Sequence, residues 1–206
     1  MNGRRPQILL MYRLLGTLMI FPARVDAAAN HAPVITIPSN QTATPGTLLA
    51  IFVTADDLDG DALSFSVTGH PPGATFLPLG DVTGNGSLSA LDAAYVLQAN
   101  VGLRSLTEEE LQRADVTRNG TVSALDAAKI LQMKVGMIPP FNTYLLQWRP
   151  TPVHATTTYT VTFTVADAGG LADVKSLTIT VPPDTTPPVI QFTSPKDGDM
   201  IIAPTP

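Results

Sequence analysis

Asp81-Val-Thr-Gly-Asn-Gly-Ser-Leu-Ser-Ala-Leu-Asp92 and Asp115-Val-Thr-Arg-Asn-Gly-Thr-Val-Ser-Ala-Leu-Asp126 lie 34 residues apart in this chain. From Asp81 to Gly102 against Asp115 to Gly136, 15 of 22 positions are identical. Each copy sets polar residues at alternate places, holds a glycine at the sixth, and then changes to a helical period. Leu91, Ala94, Leu97 and Val101 fall on one helix face, as do Leu125, Ala128, Leu131 and Val135. Gly102 and Gly136 stand where a helix ends. Between the copies, Thr107-Glu-Glu-Glu110 reads as a capping box that opens a short helix to about Arg113. The repeated unit is a loop followed by a helix.

The loop spacing fits a hard cation. A 12-residue calcium loop brings oxygens from positions 1, 3, 5, 7 and 12 onto one ion, with glycine at the sharp bend in position 6. Here those positions are Asp81, Thr83, Asn85, the carbonyl of Ser87 and Asp92, around Gly86. The second copy supplies Asp115, Thr117, Asn119, the carbonyl of Thr121 and Asp126, around Gly120. Ser89 and Ser123 occupy position 9, where contact often runs through water. Position 12 is Asp rather than Glu, and position 3 is a neutral hydroxyl. Each site has only two carboxylates, so the expected affinity is weak, about 10⁻⁵–10⁻³ M. The competing reading is a pair of polar turns that merely start helices. Two copies in register weigh against it, because turns do not need the same polar residue at each alternate place.

Two such repeats joined by a short helix resemble a dockerin module. Gly80-Asp-Val-Thr-Gly-Asn-Gly and Ala114-Asp-Val-Thr-Arg-Asn-Gly are similar to its opening signature, and Ser-Ala-Leu-Asp-Ala-Ala followed by Leu-Gln to its helices. The resemblance spans about residues 79 to 138. It implies a three-helix module that folds on two calcium ions and docks onto a cohesin-type partner. By the same resemblance, partner choice falls on Ala90, Leu91 and Tyr95 in one copy and on Ala124, Leu125 and Lys129 in the other. Many dockerins carry Ser or Thr where Leu91 and Leu125 stand, which leaves the cohesin type, or a non-cohesin partner, open.

Strand signals flank this stretch. Leu49, Ile51 and Val53 alternate with other residues, as do Leu63, Phe65 and Val67. Further on, Tyr159, Val161, Phe163 and Val165 alternate with threonines, and Leu177, Ile179 and Val181 do the same. Neither flank has enough strands for a sandwich; together they do. Pro33-Val-Ile, Ala55-Asp-Asp-Leu-Asp-Gly-Asp-Ala-Leu, Pro72-Gly-Ala-Thr-Phe76, Leu146-Gln-Trp-Arg-Pro150 and Tyr159 to Asp167, read in order, resemble a bacterial immunoglobulin-like, cadherin-like extracellular module. The expected fold is mainly β with an α insert: an immunoglobulin-like sandwich from 30–76 plus 141–182, interrupted by a dockerin-like module at 77–140. Trp148 is expected in the sandwich core. Asp57, Asp59 and Asp61 read as a polar hairpin turn, with calcium binding, helped by Asp167 and Asp173, as the alternative.

The ends set the context. Arg4, Arg5, the apolar run from Ile8 to Phe21 and Ala27-Ala28-Ala29 read as a secretory signal over 1–29, with an uncleaved anchor as the rival. Val181 to Pro188 is a stiff linker, and 183–206 as a whole reads as linker plus the start of another immunoglobulin-like repeat. With 14% charged residues, a net charge of −5 and no basic patch, nucleic acid is not an expected partner. The 206-residue chain has no cysteine, so disulfides and thiolate metal sites are excluded. His31, His70 and His154 lack metal spacing, and no nucleophile motif occurs. The expectation is a non-catalytic, secreted or cell-surface module, with no membrane span after signal cleavage and monomeric within a larger assembly. Two alternatives stand beside it: the non-catalytic part of a polysaccharide-degrading system, and a calcium-stiffened spacer.

Overall fold

The computed structural model describes residues 29–183 and 185, together with the backbone of 9–14 and 17–22. Leu9–Leu14 (β1) and Thr17–Pro22 (β2) pair antiparallel as their own two-stranded sheet. The side chains of the expected signal segment, and the further repeat expected after the linker, lie outside the described residues.

The alternating segments form two four-stranded sheets. The first runs Val34–Thr36 (β3), Leu49–Asp56 (β5), Thr143–Trp148 (β8) and Thr75–Pro78 (β7), in that spatial order. The second runs Gln41–Thr42 (β4), Ala172–Thr180 (β10), Thr158–Ala166 (β9) and Ser64–Thr68 (β6). All pairs within them are antiparallel except β4 with β10. Period-two spacing sends every second side chain to one face. Ile51, Val53, Leu146 and Trp148 of the first sheet meet Val161, Phe163, Leu177 and Ile179 of the second in one core. Trp148 is buried as expected, and its indole N–H donates to the carbonyl of Pro72 at 3.2 Å.

Three helices follow in chain order between β7 and β8, which are hydrogen-bonded neighbours: Ala90–Asn100 (α1), Glu108–Ala114 (α2) and Ala124–Lys134 (α3). They have a core of their own, built from Val82, Ala93, Val96, Ala114, Ala127 and Ile130. Their seat is the face of β8 that points away from the sandwich core. Thr143, Leu145 and Gln147 alternate with the core residues of that strand, yet all three are buried. On an uncovered outer sheet face such residues would meet water.

Asp57 to Asp61 forms the expected turn. The Asp57 carboxylate accepts from the backbone N–H groups of Asp59 and Asp61, and Gly60 takes φ +74°. Asp167 caps its own turn by accepting from the N–H of Leu171, and Asp173 accepts from the N–H of Ile35.

Candidate metal centre

Strand β7 passes almost directly into the first loop. The N–H of Leu79 adds one rung to the ladder, donating to Thr143 at 2.9 Å. Gly80 then turns the chain at φ +94°, where an added Cβ would stand 3.0 Å from the side chain of Leu88 and 3.3 Å from Phe141. Two residues of the loop are carboxylates, and both are fully buried: Asp81 and Asp92. Asp81 accepts backbone N–H groups from Gly84, Asn85 and Gly86 at 2.9, 3.1 and 2.7 Å. Asp92 faces two ways. One oxygen accepts from the N–H and hydroxyl of Thr83, both at 2.8 Å, and the other from the N–H and hydroxyl of Ser89 at 2.7 and 2.8 Å.

Position 12 of the loop is thus also the third residue of α1, and with Ser89 it forms the capping box of that helix. Ser89 is committed to the cap: its hydroxyl oxygen accepts from the N–H of Leu91 at 3.2 Å. The same pairing recurs between Ser123 and Asp126 at α3.

The hydroxyl of Thr83 is the centre of the cluster. It lies 3.2 Å from Asp81 Oδ1 and 2.8 Å from Asp92 Oδ1. Thr117 repeats this with Asp115 at 3.2 Å and Asp126 at 2.8 Å. A hydroxyl has one proton to donate, so one of its two carboxylate neighbours meets a lone pair. In each loop two carboxylates meet at one hydroxyl, and the backbone N–H groups around them orient the carboxylates without cancelling their charge, which in the fully buried first loop calls for a compensating cation. The donors are all oxygen, which suits a calcium-type ion. The residues present therefore fit the ion that the loop spacing implies; Asp81, Thr83 and Asp92, and Asp115, Thr117 and Asp126, would be the ones to hold it.

Asn85 and Ser87 stand slightly apart. The Asn85 side chain accepts from both the N–H and the hydroxyl of Ser87 at 2.9 Å, on the exposed rim. Asn119 and Thr121 do likewise at 2.9 and 2.7 Å. Among the described residues no group of three His, Cys, Asp or Glu gathers, because each loop brings only two carboxylates and completes its set with neutral oxygens. Burial pushes the Asp126 carboxyl up, but the hydrogen bonds from Thr117 and Ser123 together outweigh it and hold the group below its ordinary range.

The helix faces are the reverse of the usual arrangement. Asp92 must point into the loop, and Ala93 and Val96 follow it inward to the core. Leu91, Ala94, Leu97 and Val101 share a face, as their spacing says, but it lies about 150° around the helix from that inward direction. Leu91 is 50% exposed and Leu125 53%, and Leu97, Val101, Leu131 and Val135 are exposed with them. Ala90 and Ala124 are also exposed, whereas Tyr95 and Lys129 are half-buried. The guanidinium of Arg104 covers the Tyr95 ring at 3.7 Å from its centroid.

Arg113 and Gln147 are functional-looking residues that the spacing of the sequence does not reveal. Arg113, buried in α2, donates from Nε to the carbonyl of Asp81 at 2.7 Å and from a terminal nitrogen to that of Val82 at 3.4 Å. Its other terminal nitrogen donates to the side-chain oxygen of Gln147 on β8, and the Gln147 amide donates to the carbonyl of Glu109 at 2.9 Å. Burial pushes the guanidinium pKa down, while Asp81, Glu110, Glu109 and Asp92 push it back up. One repeat length earlier the place of Arg113 is held by Leu79, but both lie just ahead of the matched stretch, so the repeat leaves no signal for Arg113.

Residues 79–133 match the family model described as dockerin type I domain. No curated protein matches the chain. Solved structures that align with this chain include a nucleoside hydrolase-related hypothetical protein from Saccharophagus degradans, at 12% identity and TM-score 0.36 over 75% of this chain and 26% of that one. The SrpA adhesin from Streptococcus sanguinis matches at 14% identity and TM-score 0.39 over 78% of this chain and 61% of that one. The tandem Ig repeats of Dlar match at 12% identity and TM-score 0.36, over 76% and 51%. This chain spans about a quarter to three fifths of the length of these proteins. Such low similarity transfers nothing of their activities.

Proposed function

We propose that this chain is an extracellular assembly module that binds one calcium ion in each of its two loops and docks onto a cohesin-type partner. Dockerin type I domains bind calcium and dock onto cohesins, and the match over 79–133 brings that role to the helical stretch. The observation that carries the reading is the repeated oxygen cluster, Asp81–Thr83–Asp92 and Asp115–Thr117–Asp126, set at the start of two helices with exposed apolar outer faces. An apolar stripe facing water on both helices is what a partner surface would cover. Ala90, Leu91, Ala124 and Leu125 lead that surface, with Tyr95 and Lys129 at its edge. Because the two copies are so alike, the partner can be met in two orientations related by a half-turn.

The helical stretch is read as an insert within an immunoglobulin-like sandwich, with 30–76 and 141–182 forming the sandwich and 77–140 the insert. Its support is that β7 and β8, on either side of the helices, pair directly with each other. Among the described residues no helix is long and apolar enough to cross a membrane. Calcium at the concentrations found outside cells suffices for sites with two carboxylates.

Calorimetric titration of the protein with calcium, with magnesium as control, tests the first half. About two calcium ions with little magnesium response is the expected result. Well-folded protein that takes up no calcium overturns it. Binding to type I cohesins in calcium, abolished by chelator, tests the second half.

A further inference from the structure

The two loops are near copies in sequence, but their surroundings differ. The first begins three residues beyond the end of β7, with Gly80, Asp81 and Val82 all buried. Its backbone carbonyls at Asp81 and Val82 are held by Arg113, which is itself held by Gln147 of β8. Gln147, 2% exposed, sits on the outer face of the strand whose inner face carries Trp148. The second loop has Asp115 only partly buried and Asn119 and Gly120 exposed. It meets the sheet through Arg118, an exposed side chain whose guanidinium lies 4.2 Å from the Phe52 ring centroid.

We propose that Arg113 and Gln147 are positioning residues for the first loop, and that through them calcium in this loop, far more than in the second, stabilises the two-sheet body. This inference rests on the calcium reading above. The physical chain is short. The ion draws Asp81 and Asp92 together, and that conformation presents the Asp81 and Val82 carbonyls to Arg113. Arg113 can satisfy them while holding Gln147 only when α2 sits on β8. A planar guanidinium with a fixed fork of donors is suited to bridge three acceptors on two separate segments. Because coupling between two equilibria is reciprocal, whatever calcium adds to the seat, the seat adds to calcium affinity.

Trp148 is the one tryptophan in the chain, so its fluorescence reports on the two-sheet body alone. The test uses the full chain with one loop silenced at a time: Asp126→Asn leaves the first loop, and Asp92→Asn the second. Calcium uptake is measured by calorimetry and the Trp148 melting midpoint with and without calcium. The expected result is one ion bound by each variant, with a clear rise in the Trp148 midpoint only for Asp126→Asn. Adding Gln147→Ala or Arg113→Lys to that variant abolishes the rise and lowers its calcium association constant about fivefold or more. Added instead to Asp92→Asn, the same changes alter the second loop's affinity less than twofold. Equal midpoint shifts from both loops, or calcium bound by the first with no shift, overturn the inference while leaving the calcium reading intact. Calcium uptake by neither variant overturns the calcium reading, and this inference falls with it.

Discussion

Replacing Leu145 by Ala tests whether the helices are seated on the sheet. Leu145 points to the outer side of β8, opposite to Leu146, yet both are fully buried. Its lateral neighbours on the same face are Phe52 of β5 and Leu77 of β7, and Gln147, two residues on along that face, is hydrogen-bonded to Arg113 and Glu109 of α2. Truncating a buried leucine to alanine loses the transfer energy of the removed carbons and leaves a cavity, together about 2–5 kcal/mol. Were the helices to swing free, Leu145 would face water, and the same change would lie within about 0.5 kcal/mol of zero. Val174, on the outer face of β10 and 54% exposed, is the internal control for that small value. Urea unfolding in calcium, followed by Trp148 fluorescence, resolves the two cases. With a slope of about 1–3 kcal/mol per molar urea, the expected loss moves the midpoint by about 0.7 M or more. A Leu145→Ala shift no larger than that of Val174→Ala refutes the seated arrangement.

Thr83→Val keeps the shape of the first loop but removes the oxygen shared by Asp81 and Asp92; calorimetry should show the first-loop calcium affinity falling about tenfold or more, with the second loop unchanged. Leu91→Asp with Leu125→Asp should leave the thermal midpoint nearly unmoved, because both side chains are exposed, while a cohesin pull-down loses the partner. Gly69→Ala should be strongly destabilising in a thermal melt, since the added Cβ would stand 2.2 Å from the carbonyl oxygen of Thr160 at a φ of +69°. Glu109 is held below its ordinary carboxyl range by its own backbone N–H and by Arg149, against burial. A depressed carboxyl contributes stability above its unfolded pKa of about 4.3 and loses it as pH falls through the folded value. Glu109→Gln should therefore flatten the acid limb of a pH-dependent melt below about pH 4.

What the residues alone disclose here is what local spacing controls. The alternate oxygens of the two loops, the Thr107 capping box, the glycine stops at Gly102 and Gly136, and the period-two strands all depend on neighbours within a few positions. Even the burial of Trp148 follows from its place on an alternating strand. The inward side of α1 and α3 was not legible from apolar spacing, since Leu91, Leu97, Leu125 and Leu131 mark the exposed side. Asp92 and Asp126 set the rotation of each helix, because a carboxylate tied to its loop leaves only its own face to turn inward. The seat on β8 was less legible still. Arg113 reaches carbonyls 31 and 32 residues away and an amide 34 residues away. Contacts at that range depend on how the chain closes on itself, so only the folded molecule decides that a glutamine on a sheet face and an arginine in a short helix support the first loop.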